Sequence, residues 1–199
     1  MINDASWPLA LEPGDWNLPS SRKVAIVCLI LTETGLFSIF VAGYLFYIGK
    51  SLTGPTPREV LETPIIPTIC LLGSSVTIML AERALRRENR SRFQLWWAIT
   101  IFLAALFLGA TALEWHRLIT VHHLTISTNL FGTTFYSLVG LHATHVVVGL
   151  TMLTLVLLFA LTGHVRHEHS ERIQVLALYW HFVDAVWVIV FTVVYIVGR

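Results

Sequence analysis

The chain has 199 residues, of which 55% are hydrophobic and only 13% are charged, and its formal net charge is +1. An average soluble domain carries about 25% charged residues, so this composition leaves too little polar surface to cover a globule in water. It argues against a water-soluble enzyme, a nucleic-acid-binding protein and a disordered tail. It predicts a domain that lies in a lipid bilayer.

Continuous apolar runs predict an all-α membrane protein with five transmembrane helices in one bundle. A helix needs about 20 apolar residues to cross the hydrocarbon core, and β-strands would require alternating rather than continuous runs. The predicted spans lie at 24–48, 64–81, 93–113, 131–161 and 175–197. They form one transmembrane domain over residues 22–199, which follows an N-terminal extramembrane tail over residues 1–21.

The distribution of basic residues predicts the orientation of the bundle. Five spans place the termini on opposite sides of the membrane. The segment before the first span and the loops at 82–92 and 163–174 share one side, and they hold nine of the 13 Lys and Arg residues. Because Lys and Arg are enriched in cytoplasmic loops, we expect the N-terminus inside and the C-terminus outside.

Ionisable side chains within the predicted spans are the candidate functional residues. A charged group deep in a bilayer is costly, so it usually faces protein or water and often serves a function. Glu33 lies about ten residues into the first span, near the midplane at about 1.5 Å per residue. His142 and His145 are three residues apart, as are His181 and Asp184, so each pair shares one helix face.

Each of these residues has a structural and a functional interpretation. Glu33 is either a hydrogen-bonding carboxyl, a group that moves protons, or an organiser of lipid or of a partner interface. A histidine of the fourth span together with His181 could ligate haem or a metal, although interhelical hydrogen bonding is the favoured role. Glu114, Trp115 and Trp180 fall near predicted span ends and are expected at the membrane interface.

The sequence contains no Walker A motif, dinucleotide-binding glycine motif, HExxH motif or nucleophile elbow. The residues alone therefore indicate a five-helix membrane protein with a buried polar seam. Such a protein could be a transporter-like module or an interaction subunit.

The order of three motifs resembles cytochrome oxidase subunit III, over about Arg22 to the C-terminus. LTETGLFSIFVAGYLF (Leu31–Phe46) is similar to the segment around the membrane-buried glutamate of that family. FGTTFYSLVGLHATHVVVGL (Phe131–Leu150) and ALYWHFVDAVWVIVFTVVYIVG (Ala177–Gly198) resemble its last two helices. Ala143 stands where the family usually has Gly. With five spans rather than seven, the chain resembles the bacterial form.

The resemblance implies an accessory subunit of a respiratory haem–copper oxidase in a bacterial plasma membrane. Haem and copper are then expected in partner subunits and none in this chain, whereas bound phospholipid is expected. Subunit I would be a direct partner, with subunit II and a small subunit IV in the same complex and no nucleic acid. The family is associated with sustained turnover and with proton uptake. Carried over by motif, the structural or lipid-organising residues would be Glu33, His142, His145, His181 and Asp184.

Two other interpretations stay open at this point. An equivalent subunit could serve a quinol oxidase or a nitric oxide reductase, because the sequence of this chain does not identify the electron donor or the terminal acceptor. An independent transporter or proton channel built around Glu33 is the alternative of a different class. Broken helices and paired hydrophobic repeats would favour it, and neither is evident in the sequence.

Overall fold

The protein is described by a computed structural model that covers residues 21–51, 54–164 and 170–198. The elements are α1 (Ser21–Tyr47), α2 (Pro57–Val60), α3 (Ile65–Arg86), α4 (Arg90–Thr120), α5 (Leu130–Leu161) and α6 (Ser170–Phe191), which continues as a π-helical segment, Thr192–Val197. Five of these helices are long and apolar enough to cross a membrane. Every regular element within the described ranges is helical, so the all-α, five-helix prediction is confirmed.

The helices do not end where the apolar runs end. The helix at Arg90–Thr120 extends beyond both ends of the run at 93–113, and the last helix begins at Ser170 rather than at residue 175. An apolar run marks the part that fits the hydrocarbon core, whereas the helix continues through the polar headgroup region. The predicted tail lies outside the described residues, except that its last residue, Ser21, begins α1.

α3 and α4 form a closely packed antiparallel hairpin. The turn between them is short, because Glu88 adopts a left-handed conformation with φ 56°. Asn89 then caps α4 by accepting a hydrogen bond of 3.0 Å from the Arg92 N–H. Deeper in the hairpin, the hydroxyls of Thr77 and Thr100 lie 2.7 Å apart. The hydrogen bond between these two hydroxyls links the neighbouring helices inside the hairpin.

α6 occupies the centre of the bundle, where it packs against α1, α3 and α5. Its side chains Trp180 and Trp187 are fully buried. Gly149 of α5 allows the close approach of α6, since a Cβ at that position would lie 2.8 Å from the Trp180 ring. α1 lies at the edge of the bundle and packs mainly on α5 and α6.

The connections at the end of the bundle where α1 stops are tied to the first turn of α5. The Phe131 N–H donates to Ser51 Oγ over 3.0 Å, which fixes the chain after α1. In the turn before α3, the Thr56 N–H donates to Glu59 over 3.0 Å. The hydrogen bonds from the backbone and side chain of Thr56 hold the pKa of this exposed carboxyl below its usual value.

Candidate functional site

A polar pair joins α1 to α5 inside the bundle. His145 Nε2 lies 3.0 Å from Glu33 Oε2, and both side chains are mostly buried. The other ring nitrogen, Nδ1, lies 2.8 Å from the Leu141 carbonyl oxygen. Because a carbonyl only accepts, Nδ1 carries a hydrogen. The bond between Nε2 and Glu33 can then form in either of two ways. A charged imidazole can pair with a carboxylate, or a neutral imidazole can accept a hydrogen bond from a carboxylic acid.

An apolar groove between α1, α5 and α6 opens beside this pair. It encloses about 630 Å³, a size typical of sites for small molecules. Glu33 and His145 contribute polar atoms to its wall, and Arg172 lines it at the beginning of α6. Tyr179, which also lines the groove, donates from its hydroxyl to the His145 carbonyl oxygen over 3.2 Å. The groove therefore combines a long hydrocarbon-compatible surface with one cation and one polar pair.

His142 lies one turn before His145 but in a different environment. Its imidazole is 1% exposed and is surrounded by aromatic rings. The ring centroids of Phe37, Phe107 and Trp187 are 6.5, 6.0 and 4.9 Å from its own. Neither of its ring nitrogens has a hydrogen-bond partner within the described part of the chain. This histidine acts there as an aromatic packing group between α1, α4 and α6.

A second polar cluster joins α3 to α6. Ser75 Oγ donates to Asp184 Oδ2 and lies 3.0 Å from His181 Nδ1. A serine hydroxyl has a single hydrogen, so Ser75 must accept the bond from the Nδ1–H of His181. The structure thus brings His181 and Asp184 onto one serine, as their spacing of three residues suggested. Asp184 is 3% exposed.

Indole N–H groups make three further bonds between helices. Trp180 donates to Ser74 Oγ over 2.8 Å, and Trp187 donates to Thr68 Oγ1 over 3.1 Å, both from α6 to α3. Trp97 of α4 donates to the Leu153 carbonyl oxygen of α5 over 2.8 Å. Each bond satisfies a group that would be costly to leave unpaired in an apolar interior.

The chain is similar in sequence to subunits of known oxidases. The family described as "Cytochrome c oxidase subunit III" matches residues 23–199. The subunit 3 of the Alkalihalophilus pseudofirmus oxidase is 38% identical over 83% of this chain and 82% of its own length. The corresponding Bacillus subtilis protein is 34% identical over 83% of this chain and 81% of its own length. The cytochrome bo(3) ubiquinol oxidase subunit 3 of Pseudomonas aeruginosa is 32% identical over 85% of this chain and 81% of its own length.

The chain belongs to the cytochrome c oxidase subunit III family.

The resemblance expected from the motifs, including the bacterial form, is thereby confirmed. Subunit III is one component of an oxidoreductase complex, so this chain has other oxidase subunits as neighbours. In the described part of the chain, no group of three or more His, Cys, Asp and Glu side chains is arranged to hold a metal ion. His145 bonds to Glu33 and His181 bonds to Ser75, in each case across two helices.

Two of the residues expected at the membrane interface lie in the last two turns of α4. Both carboxylate oxygens of Glu114 lie 3.2 Å from the Tyr195 hydroxyl, which donates to them. The Trp115 ring packs edge-on against Tyr136, with centroids 5.3 Å apart. Both Glu114 and Trp115 are partly exposed.

Trp180 is the third residue expected at the interface, and its ring is completely buried between helices. It lies almost three turns after Ser170, the first residue of α6.

Several polar residues of the site were not foreseen from the sequence. They are the hydroxyl partners on α3 and two tyrosines that bond to the predicted residues, namely Thr68, Ser74, Ser75, Tyr179 and Tyr195. Part of the signal was present in the GSSVT segment of the second span. Serine and threonine in transmembrane helices often mark helix–helix contacts, but the sequence does not say which helix lies opposite.

Proposed function

We propose that this chain is the accessory subunit III of a respiratory haem–copper terminal oxidase in a bacterial plasma membrane. The assembled enzyme reduces oxygen to water and translocates protons, while this chain carries no catalytic centre. Haem and copper are held by partner subunits, with subunit I as the direct neighbour and subunit II and a small subunit IV in the same complex. The observation that carries the proposal is the family match over residues 23–199.

The mechanism we propose is physical. The five-helix bundle covers an apolar flank of subunit I, keeps lipid and water out of it, and limits local opening near the entrance for protons. Broad exposed apolar surfaces support this role: Ile66, Leu113 and Ile39 are 76%, 71% and 70% exposed in the isolated chain. Side chains of this kind need a lipid or protein neighbour.

The Glu33–His145 pair holds α1 in place and shapes the adjacent groove. Its hydrogen bond persists with the proton on either partner, so the anchor does not depend on one protonation state. In this proposal a phospholipid occupies the groove. Its acyl chains lie along the apolar wall and its headgroup lies near Arg172. This arrangement gives Glu33, His145 and Arg172 structural and lipid-organising roles.

We further propose that the N-terminus lies inside the cell and the C-terminus outside. Nine of the 13 Lys and Arg residues then face the cytoplasm. Protease applied to intact right-side-out vesicles should leave the Arg-rich connection between α3 and α4 uncut, and should cut it once the vesicles are opened. Cleavage there in intact vesicles would show that the orientation is the opposite one.

A pull-down of this chain in mild detergent tests the proposed assembly. We expect subunits I and II to co-purify and haem bands to be present in the reduced-minus-oxidised optical spectrum. A colourless, self-associated protein would contradict the proposal and favour a transporter. Flux into liposomes that contain only this chain would then test the transporter directly.

A quinol oxidase is the second candidate assembly, because one relative carries the name of a ubiquinol oxidase subunit. The purified complex distinguishes the two. A copper signal from subunit II and oxidation of cytochrome c indicate a cytochrome c oxidase. Absence of that copper together with quinol-dependent oxygen consumption indicates a quinol oxidase.

A further inference from the structure

Five exposed arginines cluster at the turn between α3 and α4, and we call them the arginine patch. They are Arg83, Arg86, Arg87, Arg90 and Arg92. Residues 82–92 also contain two glutamates, so their formal charge is +3. Within the described part of the chain none of the five guanidinium groups forms an ion pair, whereas Arg22 and Arg117 are paired with Glu171 and Glu62. The patch is thus a dense positive charge that the bundle itself leaves open.

The position of Arg90 and Arg92 opposes the stability of α4. This helix begins at Arg90 and has no acidic residue in its first turn. Because the unpaired N–H groups at a helix N-terminus carry partial positive charge, carboxylates stabilise that end and cations destabilise it. The general enrichment of basic residues in cytoplasmic loops explains positive charge in this connection, but it does not explain cations at a helix start. A carboxylate from elsewhere would offset them.

The segment before α1 carries carboxylates of the matching number. Residues 1–20, which lie outside the described part of the chain, contain Asp4, Glu12 and Asp15 and no Lys or Arg. The formal charge of their side chains is −3, equal and opposite to that of residues 82–92. Trp7 and Trp16 lie in the same stretch, and the face of an indole ring attracts a guanidinium group. The segment therefore complements the arginine patch in charge and in side-chain chemistry.

The acidic segment and the arginine patch lie at the same end of the bundle. α1 and α3 are consecutive spanning helices, so the beginning of α1 at Ser21 and the end of α3 at Arg86 share one side of the membrane. Arg22 pairs with Glu171 over 3.1 Å, which places the start of α1 beside the start of α6. α6 in turn packs antiparallel to α3. Since packed helices lie about 8–10 Å apart, the patch begins about 20 Å from Ser21.

The acidic segment is long enough to cover this separation. An extended chain spans at most about 3.3–3.6 Å per residue, so Asp15 reaches about 20 Å from Ser21 and Glu12 reaches about 30 Å. Attachment at Ser21 also gives the segment an effective concentration on the order of mM at the patch. This advantage favours it over a separate acidic molecule, which has to diffuse to the patch.

We propose that residues 4–16 dock on the arginine patch. The carboxylates of Asp4, Glu12 and Asp15 pair with its guanidinium groups and offset the positive charge at the start of α4, while Trp7 and Trp16 stack on the arginines. The docked segment crosses one end of the bundle. It connects the peripheral helix α1, which packs mainly on α5 and α6, to the α3–α4 hairpin. This docking is independent of the oxidase partners and of the groove beside Glu33.

Pulsed electron paramagnetic resonance on the full chain tests the docking. Both native cysteines, Cys28 and Cys70, are free and are replaced by alanine. Spin labels are then attached to Gly14→Cys in the acidic segment and to Ser91→Cys in the patch, and the chain is placed in phosphatidylcholine nanodiscs. We expect a narrow population of short distances between the two labels.

Neutralising the acidic segment should remove this population. Asp4→Asn, Glu12→Gln and Asp15→Asn together should lower the ratio of short to long distances about tenfold, as expected for the loss of three exposed ion pairs. Raising the salt concentration from about 0.1 to about 1 M should act in the same direction, because the Debye length falls from about 10 to about 3 Å. Short distances that persist in the neutralised variant would overturn the proposal.

Arg90→Gln with Arg92→Gln tests the patch. This variant should fold, since it removes two cations from the N-terminus of α4, and it should lower the ratio of short to long distances severalfold. Arg22→Gln with Lys23→Gln is the matched control, because it removes two cations that lie nearer to the acidic segment. Its ratio should stay within about twofold of the wild-type value. Equal losses in the two variants would show general attraction to basic residues and overturn the proposal.

Nanodiscs that contain phosphatidylglycerol distinguish the acidic segment from an anionic membrane surface. The short distances should persist in them, because the segment is attached beside the patch. A fall of the ratio to the value of the neutralised variant would mean that lipid headgroups cover the arginines, and it would overturn the docking of residues 4–16.

Discussion

α6 and α1 are similar in apolar character but differ in their place in the bundle. Half of the residues in the most apolar stretch of the last helix are buried, against 11% in α1. α6 is bonded to α3 through Trp180, Trp187 and the cluster at Ser75. Among the described residues, α1 has one mostly buried polar bond to another helix, from Glu33 to His145. Hydropathy therefore identifies both as spans, while the number of polar bonds between helices distinguishes the central helix from the peripheral one.

The largest effect is expected where α6 meets α5. Gly149→Leu should lower the free energy of unfolding by about 3 kcal/mol, because the added atoms meet the buried Trp180 ring. Denaturation of the purified chain in bicelles measures this change. Gly109→Leu on α4 is the matched control, since nothing lies within 4 Å of a Cβ there. Equal loss in the two variants would mean that α6 is not closely packed.

α1 should be most sensitive at the polar bond between Glu33 and His145. Glu33→Ala should destabilise the bundle by about 1–3 kcal/mol, because it leaves His145 without its partner. Glu33→Gln should assemble normally, since an amide can still bond to the imidazole. Assembly is measured by co-purification with the oxidase. If Glu33→Gln assembles but slows proton uptake by the oxidase, the carboxyl proton itself takes part. A purely structural role for Glu33 would then not explain the result.

Single hydrogen bonds of α6 should have smaller effects. Trp187→Phe keeps an aromatic ring beside His142 but removes the N–H that donates to Thr68. We expect a loss of about 1 kcal/mol in the free energy of unfolding. Thr68→Val in the same background tests the bond, because the second substitution should then cost little more. Fully additive losses would show that the two side chains stabilise the bundle independently.

The smallest effect is expected at the beginning of α1. Arg22 lies 3.1 Å from Glu171, and both side chains are substantially exposed. Exposed ion pairs contribute about 0–1 kcal/mol, so Arg22→Gln should change the free energy of unfolding by less than about 0.5 kcal/mol at moderate salt. A larger loss would mean that α1 depends on its end rather than on Glu33.

The sequence allows the five spans and the polar residues within them to be predicted, because bilayer thickness and the cost of buried charge act on each segment separately. The spacing of His181 and Asp184 predicts one shared face, and both residues meet Ser75. The spacing of His142 and His145 is equally regular, yet within the part of the chain that the structure describes only His145 reaches a polar partner. That difference depends on which helices lie opposite, and no local pattern contains this information.

Trp180 shows what the sequence leaves open about a tryptophan. A tryptophan near the end of an apolar run is usually interfacial, and the run itself does not indicate a partner for the indole N–H. In the structure the ring is buried and its N–H donates to Ser74 of α3. That contact depends on which helix lies opposite, and the pattern along one segment does not contain this information.

The separation of Glu33 from its partner has a consequence for biosynthesis. The two residues are 112 positions apart in the chain. At about 5–20 residues per second, translation needs on the order of 6–20 s to reach His145 after Glu33 has been made. During that interval α1 must reside in or beside the insertion machinery with a solitary carboxyl. α1 thus waits for neighbours that are synthesised after it, and α6, which also packs against α1, is made later still.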